Sequence, residues 1–157
     1  MTEFDIDRSA PVLVKQGVTI HAPQDLVWRL LIDVDKWTSW RSDVDSAELM
    51  GDFETGQMFR WKTEGLEIDS WIREVLPLRR VAWGGTAQGI VAAHTWLFLP
   101  VEGGVRIVTE ESWSGKVVDA DPASAQSILE AAIALWLSEL QQAATGNVVA
   151  GKPAGSR

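Results

Sequence analysis

The segment 59–72, FRWKTEGLEIDSWI, constrains the fold of this chain most strongly, because its charged and apolar residues alternate around a single turn signal. If Glu64-Gly65 is a two-residue hairpin turn, two cross-strand pairs of opposite charge share one face. These pairs are Lys62 with Glu67 and Arg60 with Asp69. The other face carries four apolar side chains: Phe59, Trp61, Ile68 and Ile72. A shift of one residue would exchange the two faces, so the sequence predicts this register, with the aromatic face toward a core or cavity.

Turn signals divide the remaining sequence into short strands and one long helix. Strands are predicted near residues 11–20, 43–50, 57–63, 66–75, 79–85, 90–100 and 105–114. Among the separators, the glycine pairs Gly84-Gly85 and Gly103-Gly104 indicate turns of an antiparallel meander. Two short helical segments are expected between the first two strands. Asp121-Pro122 then provides an N-cap and a first-turn proline for a long amphipathic helix to about Ala144.

One domain accounts for most of the chain, which has 157 residues. We expect a flexible N-terminal arm over residues 1–10, a folded domain over 11–145 and a disordered tail over 146–157.

The charge balance and the residue counts exclude several classes of function. Fourteen Lys and Arg against 22 Asp and Glu give a net charge of −8, which repels nucleic-acid phosphates and anionic lipid surfaces. The chain contains no cysteine and two histidines, so neither disulfides nor a His-rich zinc site is expected. No G-x-S-x-G nucleophile elbow is present, and no glycine-rich loop opens a helix. We therefore expect no metal and no cofactor.

The ends of the chain and its apolar runs bear on where the protein is found. The N-terminus is acidic and lacks the apolar segment of a secretory signal. No window approaches the length of apolar sequence that a membrane span needs. A cytoplasmic protein without membrane insertion is the expectation.

Tryptophan is the unusual component of this sequence, with nine Trp beside four Phe and no Tyr. Two interpretations remain open: a Trp-rich core, or a cavity whose walls are large, flat, apolar rings.

The last predicted hairpin places two ionisable residues on an aromatic face. A two-residue turn at Gly103-Gly104 sets His94 opposite Trp113, whereas a four-residue turn sets His94 opposite Glu111. In either register, His94 and Glu111 are direct or diagonal neighbours. A buried histidine and carboxylate reduce their desolvation cost by pairing, so this pair is either a packing device or part of a ligand site.

Three stretches of this sequence resemble the SRPBCC (START-like, pollen-allergen-like) superfamily, in particular its polyketide cyclase/dehydrase-type branch. They are IHAPQDLVWRLLIDVDKWTSW (20–40), FRWKTEGLEIDSWIREVLPLRRVAWGG (59–85), and AAHTWLFLP with GGVRIVTEESWSG (92–100, 103–115). The resemblance implies an α+β helix-grip fold. In that fold a curved seven-stranded antiparallel sheet wraps around a long C-terminal helix, with two short helices after the first strand. It also implies an internal cavity, with the segment of Trp37 and Trp40 at one wall or at the entrance.

Three functions are consistent with these expectations. The first is the binding of a hydrophobic aromatic, polyketide-like or lipid-like molecule by a monomer or weak homodimer. The second is a polyketide cyclase, aromatase or dehydrase, in which Glu111 removes a proton from carbon and His94 donates to a carbonyl oxygen. The third is a protein-partner surface around Trp71, Leu97 and Leu99. The predicted ligand-binding residues are Trp37, Trp40, Phe59, Trp61, Ile68, Ile72, Trp83, His94, Trp96, Phe98, Glu111, Trp113 and Trp136.

Overall fold

The computed structural model describes residues 4–146. Its strands are β1 (Val12–Ile20), β2 (Val44–Met50), β3 (Met58–Thr63), β4 (Leu66–Leu76), β5 (Arg80–Ala87), β6 (Ile90–Val101) and β7 (Gly104–Ser114). Its helices are α1 (Gln24–Ile32), a 3₁₀ helix (Val34–Ser39), α2 (Lys116–Ala120) and α3 (Pro122–Thr145). All seven strands form one antiparallel sheet in the order β1-β7-β6-β5-β4-β3-β2. The expected α+β helix-grip architecture is confirmed.

The hairpin of β3 and β4 has the register that its charges predict. Trp61 pairs with Ile68 and Arg60 with Asp69, where an ion pair of 2.8 Å forms. Glu64 and Gly65 both have positive φ, 47° and 82°, as a two-residue hairpin turn of the favoured primed type requires.

The prediction of a turn at Gly84-Gly85 is wrong, since both glycines lie inside β5. The turn that follows β5 is Gln88-Gly89, with positive φ at both positions. Gly85 serves a different purpose: a Cβ there would lie 3.1 Å from both the Asp69 carbonyl oxygen and Ser70 Oγ. A glycine inside a strand permits such a close approach of the neighbouring strand.

The hairpin of β6 and β7 resolves the two registers left open by the sequence. Pro100 pairs with Val105 and Val101 with Gly104, so the turn itself is Glu102-Gly103. This is the register that the four-residue turn predicted. The additional pair Val101–Gly104 shortens the turn to two residues. His94 therefore lies directly opposite Glu111.

The long helix α3 begins and ends as its sequence predicts. The Asp121 side chain accepts a hydrogen bond from the Ser124 backbone N–H at 3.2 Å, and Gly146 has the left-handed conformation of a helix stop. One face of α3 is buried against the sheet, where the Trp136 ring contacts rings of β3, β5 and β6. The short helix α2, which the sequence analysis did not predict, connects β7 to α3.

The N-terminal arm contacts the outer face of the sheet. Ile6 is buried, the Asp7 N–H donates to Ser112 Oγ at 2.9 Å, and Arg8 forms an ion pair with Glu110 at 2.8 Å. The flexibility expected for residues 1–10 stays a prediction. The disordered tail expected over 146–157 lies, beyond Gly146, outside the described residues.

The outer face also carries the exposed side chains of Trp71, Leu97 and Leu99, on the side that the register predicted. Self-association through these residues stays a prediction. None of the helices in the described part of the chain is long and apolar enough to cross a membrane. A cytoplasmic location also stays a prediction.

Candidate functional site

A cavity of about 110 Å³ lies between the inner face of the sheet and α3. Seven of the predicted ligand-binding residues line it: Trp61, Ile68, Trp83, His94, Glu111, Trp113 and Trp136. The helix contributes Leu129 and Ile133 beside Trp136, and the small residues Gly85 and Ala92 leave the space that the cavity occupies. The lining is mainly apolar, with its ionisable groups at a few positions, as is usual for small-molecule sites.

The other six predicted residues are buried around the cavity without lining it: Trp37, Trp40, Phe59, Ile72, Trp96 and Phe98. Trp37 is fully buried, and its indole N–H donates to the Leu31 carbonyl oxygen at 3.0 Å. Phe98 packs edge-on against Trp28 of α1, with ring centroids 5.2 Å apart. These residues support the walls, and a direct role for them in ligand binding stays a prediction.

Five indole rings form one continuous cluster around the cavity, so the two interpretations of the tryptophans both hold in part. The cluster consists of Trp37, Trp61, Trp83, Trp96 and Trp136. Trp136 packs edge-to-face against Trp96 and Trp37, with centroids 4.9 and 5.2 Å apart. Such edge-to-face pairs are preferred by aromatic rings and hold the walls in place. Some tryptophans are therefore core, and others face the cavity.

His94 is held by hydrogen bonds on both of its ring nitrogens. Its Nε2 lies 2.7 Å from Thr109 Oγ1, and Thr109 Oγ1 donates its own hydrogen to the Thr95 carbonyl oxygen at 2.8 Å. The Thr109 oxygen must then accept from His94, which places the ring hydrogen on Nε2. Burial, followed by the charge of Arg41, holds the pKa of His94 well below its ordinary value, so the ring is neutral and Nδ1 is an acceptor.

Glu111 completes this chain of hydrogen bonds. Its Oε1 lies 3.1 Å from His94 Nδ1, and its Oε2 accepts from the Trp113 indole N–H at 2.9 Å. Burial raises the pKa of Glu111 to about 7, against the lowering effects of the Trp113 hydrogen bond and of Arg41. A protonated Glu111 donates to the neutral Nδ1. Glu111 therefore gains or loses its proton near neutral pH, which suits a group that accepts or gives a proton.

Hydrogen bonds within the protein hold both side chains of the pair. Both nitrogens of His94 face protein groups, Glu111 on one side and Thr109 on the other. Both oxygens of Glu111 also face protein groups, His94 Nδ1 and the Trp113 indole N–H. Catalytic roles for the two residues stay a prediction.

Arg41 is the main site residue that the sequence analysis missed. It follows the two tryptophans of the 3₁₀-helix segment, is buried, and lines the cavity. Its guanidinium lies 3.5 Å from the Trp136 ring centroid and 5.0 Å from those of Trp37 and Trp61. Burial lowers the pKa of Arg41 to about 10, which still leaves it charged at neutral pH. An arginine directly after Trp37 and Trp40 was the available signal.

The hydrogen-bonding capacity of Arg41 is only partly used. Its Nη2 lies 3.5 Å from Asp43 Oδ2, while Nε and Nη1 are buried without a hydrogen-bond partner. Nearby, the buried Glu139 accepts from the Ser42 backbone N–H at 2.9 Å. The site thus contains a buried cation that has one ion pair, with Asp43, and two nitrogens without a hydrogen-bond partner.

Metal ligation is not supported by the described residues. Within 4–146, no three His, Asp or Glu side chains converge as metal ligands.

Three solved structures show how widely this fold occurs. A hypothetical protein of Helicobacter pylori is 21% identical, with a TM-score of 0.78, covering 92% of this chain and 98% of that one. The Zhui aromatase/cyclase of Streptomyces sp. R1128 is 21% identical, with a TM-score of 0.73, covering 88% and 97%. A START superfamily protein of Mycobacterium smegmatis is 8% identical, with a TM-score of 0.75, covering 87% and 99%. At these identities the likeness shows a shared fold.

A search of curated proteins finds no significant match. The sequence model of one family, described as polyketide cyclase / dehydrase and lipid transport, matches residues 11–150 and thus nearly the whole chain. This agrees with the resemblance in the sequence, with the helix-grip fold and with the enclosed cavity. The chain belongs to the polyketide cyclase / dehydrase and lipid transport family.

Proposed function

We propose that this protein binds a hydrophobic small molecule, aromatic, polyketide-like or lipid-like, in the cavity between the sheet and α3. The observation that carries the proposal is the cavity itself, which is lined by indole rings and by Leu129 and Ile133. Apolar surface removed from water on both partners would drive such binding.

The size of the cavity indicates what fits without rearrangement. Its volume of about 110 Å³ is somewhat below the roughly 150 Å³ of an apolar cavity that takes up benzene. Sites for drug-sized ligands measure roughly 300–1,000 Å³. A single aromatic ring is therefore the upper limit for the present shape, and a larger ligand requires the indole walls to move.

The test compares two neighbouring alanines of β6. Ala92 lines the cavity, whereas Ala93, the next residue, points to the other face of the sheet. Toluene binding is measured by calorimetry. We expect Ala92→Leu to abolish it by filling the cavity, and Ala93→Leu to leave it unchanged. Equal binding by all three proteins would place the ligand elsewhere and contradict the proposal.

Native mass spectrometry of the purified protein identifies the class of natural ligand. A bound mass that is present in the wild type, disappears on denaturation and is absent from Ala92→Leu supports the proposal. A bound mass that is retained by Ala92→Leu contradicts it.

A second function, acid–base catalysis in the same cavity, is favoured by one observation. Glu111 has a pKa near 7 and lies 3.1 Å from His94 inside an apolar enclosure. Such a carboxylate can remove a proton from the carbon next to a carbonyl, as the cyclisation or dehydration of a polyketide-like substrate requires.

Glu111→Gln keeps the shape of the side chain and removes the base. We expect turnover of an enolisable substrate to fall by about 10²–10⁴, with toluene binding intact. Unchanged turnover in this variant would exclude Glu111 from the mechanism.

A further inference from the structure

Three residues of the cavity wall carry buried polar atoms that have no hydrogen-bond partner in the protein. Arg41 Nε and Nη1 and the indole Nε1 of Trp136 are donors, and Asp43 Oδ1 is an acceptor. All three residues line the cavity. They also touch one another, since the Arg41 guanidinium lies over the Trp136 ring at 3.5 Å and approaches Asp43 at 3.5 Å.

Unpartnered buried groups are costly, and here they cluster in one wall of a single cavity. Buried polar atoms normally find a partner in the protein or in water. A ligand group that supplied partners to these atoms would recover their desolvation cost, so the cluster selects ligands by their polar chemistry.

We propose that Arg41, Asp43 and Trp136 bind a hydroxyl group on the ring of an aromatic ligand, a phenol or its enol equivalent. A hydroxyl oxygen accepts from Arg41 and from the Trp136 indole, and its hydrogen donates to Asp43 Oδ1. The inference rests on the proposed function, because it specifies the ligand of the same cavity.

The charges around this position favour a ligand hydroxyl over a ligand carboxylate. The carboxylate of Asp43 is already close to Arg41, and Glu139 is buried on the adjoining turn of α3. A carboxylate ligand would add another anion beside Asp43 and would leave Asp43 Oδ1 without a donor. A neutral or weakly acidic hydroxyl avoids both costs.

The experiment measures by calorimetry the binding of toluene and phenol, two single-ring compounds of similar size, and of benzoate, the larger carboxylate. For the wild type, we expect phenol to bind about tenfold more tightly than toluene, since hydrogen bonds to charged groups are the strong ones. Benzoate should bind no more tightly than toluene. Equal affinities for phenol and toluene, or tightest binding of benzoate, would overturn the assignment of a hydroxyl site.

Arg41→Met removes the guanidinium and keeps the aliphatic stem. We expect the ratio of phenol affinity to toluene affinity to fall to about one, whatever the change in toluene affinity itself, because the charged donor is gone. A preference that survives in folded Arg41→Met overturns the role of Arg41.

Asp43→Ala provides a test that does not depend on the Arg41 variant folding. It removes the acceptor and the anion together, so phenol should lose affinity and benzoate should gain it. Asp45→Ala changes a nearby exposed acid that does not line the cavity, and should change none of the three affinities. Identical behaviour of Asp43→Ala and the wild type would overturn the proposal.

The three ligands also distinguish this inference from the proposed function. Failure of the wild type to bind any of them counts against a single-ring site in this cavity altogether. Toluene binding without a phenol preference leaves the proposed function in place and removes only the hydroxyl site.

Discussion

Nδ1 of His94 lies 3.1 Å from Oε1 of Glu111, among the aromatic rings of the inner sheet face. Thr109 fixes the tautomer of the neutral histidine, because its hydroxyl accepts the Nε2 hydrogen of His94 and leaves Nδ1 as an acceptor. Burial raises the pKa of Glu111 and lowers that of His94, so a proton bound between them belongs to Glu111.

The raised pKa of Glu111 predicts a pH-dependent stability difference between the wild type and Glu111→Gln. Burial raises this pKa from 4.5 to about 7, so the folded state holds the proton more tightly than the unfolded state. The contribution of the protonated group is complete below about pH 4.5 and is lost as the pH rises to about 7. We expect the wild type to lose on the order of 3 kcal/mol of unfolding free energy relative to Glu111→Gln across this window.

Chemical denaturation of both proteins at several pH values measures this difference. His94 acts in the opposite direction, because its lowered pKa makes the folded state less stable as the pH falls through its ordinary value. The causes of the lowered His94 pKa, burial and Arg41, are the same in both proteins, so its effect cancels in the comparison. Parallel curves for wild type and variant would contradict a raised pKa of Glu111.

Thr109→Val should destabilise the protein by about 1–3 kcal/mol, since it leaves the His94 Nε2–H buried without an acceptor. Valine has nearly the same shape as threonine, so the loss reports the hydroxyl rather than the packing. Thr109→Ser, which keeps the hydroxyl, is the control and should retain the histidine tautomer. Nitrogen NMR of His94 follows the tautomer directly, and an unchanged spectrum in Thr109→Val would contradict the role assigned to Thr109.

Gly85→Ala should destabilise the protein by about 1–3 kcal/mol and weaken toluene binding. Its Cβ would lie 3.1 Å from the Asp69 carbonyl oxygen, and its methyl group would project into the cavity. Gly84→Ala is the matched control on the other face of β5, where the nearest heavy atom is at an ordinary 3.6 Å. If both variants bound toluene equally well, Gly85 would not determine the cavity volume.

Asp121→Ala should cost about 1 kcal/mol by removing the N-cap of α3, the helix that supplies one wall of the cavity. Asp121→Asn keeps an acceptor for the Ser124 N–H and should recover most of the loss. Thermal unfolding measures both. An Asn variant as unstable as the Ala variant would show that the charge of Asp121, rather than the hydrogen bond, is what stabilises the helix.

The sequence predicts the strand registers in which one face of the strand is charged and the other is apolar. The register of β3 and β4 follows from Lys62–Glu67 and Arg60–Asp69, because a slip of one residue would bury these charges. The shared face of His94 and Glu111 follows from strand alternation alone, in either of the two registers considered.

The sequence does not predict features that depend on the close approach of distant segments. The pair Gly84-Gly85 has the composition of a turn, and only its packing against β4 reveals a strand interior. Arginine is usually exposed on a protein surface. Arg41 is buried because its guanidinium packs on the ring of Trp136, which lies on a helix almost a hundred positions later in the chain. The neighbouring tryptophans are the one local signal for Arg41, and they do not indicate its contact with Trp136.

Five tryptophans are close enough to share their fluorescence excitation: Trp37, Trp61, Trp83, Trp96 and Trp136. Their centroids are spaced at 4.9 to 6.3 Å, close enough for excitation absorbed by one indole to migrate to its neighbours before light is emitted. The ultraviolet emission of these five residues is therefore a property of the cluster rather than of separate side chains. A ligand that contacts any one of these rings will therefore change the fluorescence emission of the whole cluster.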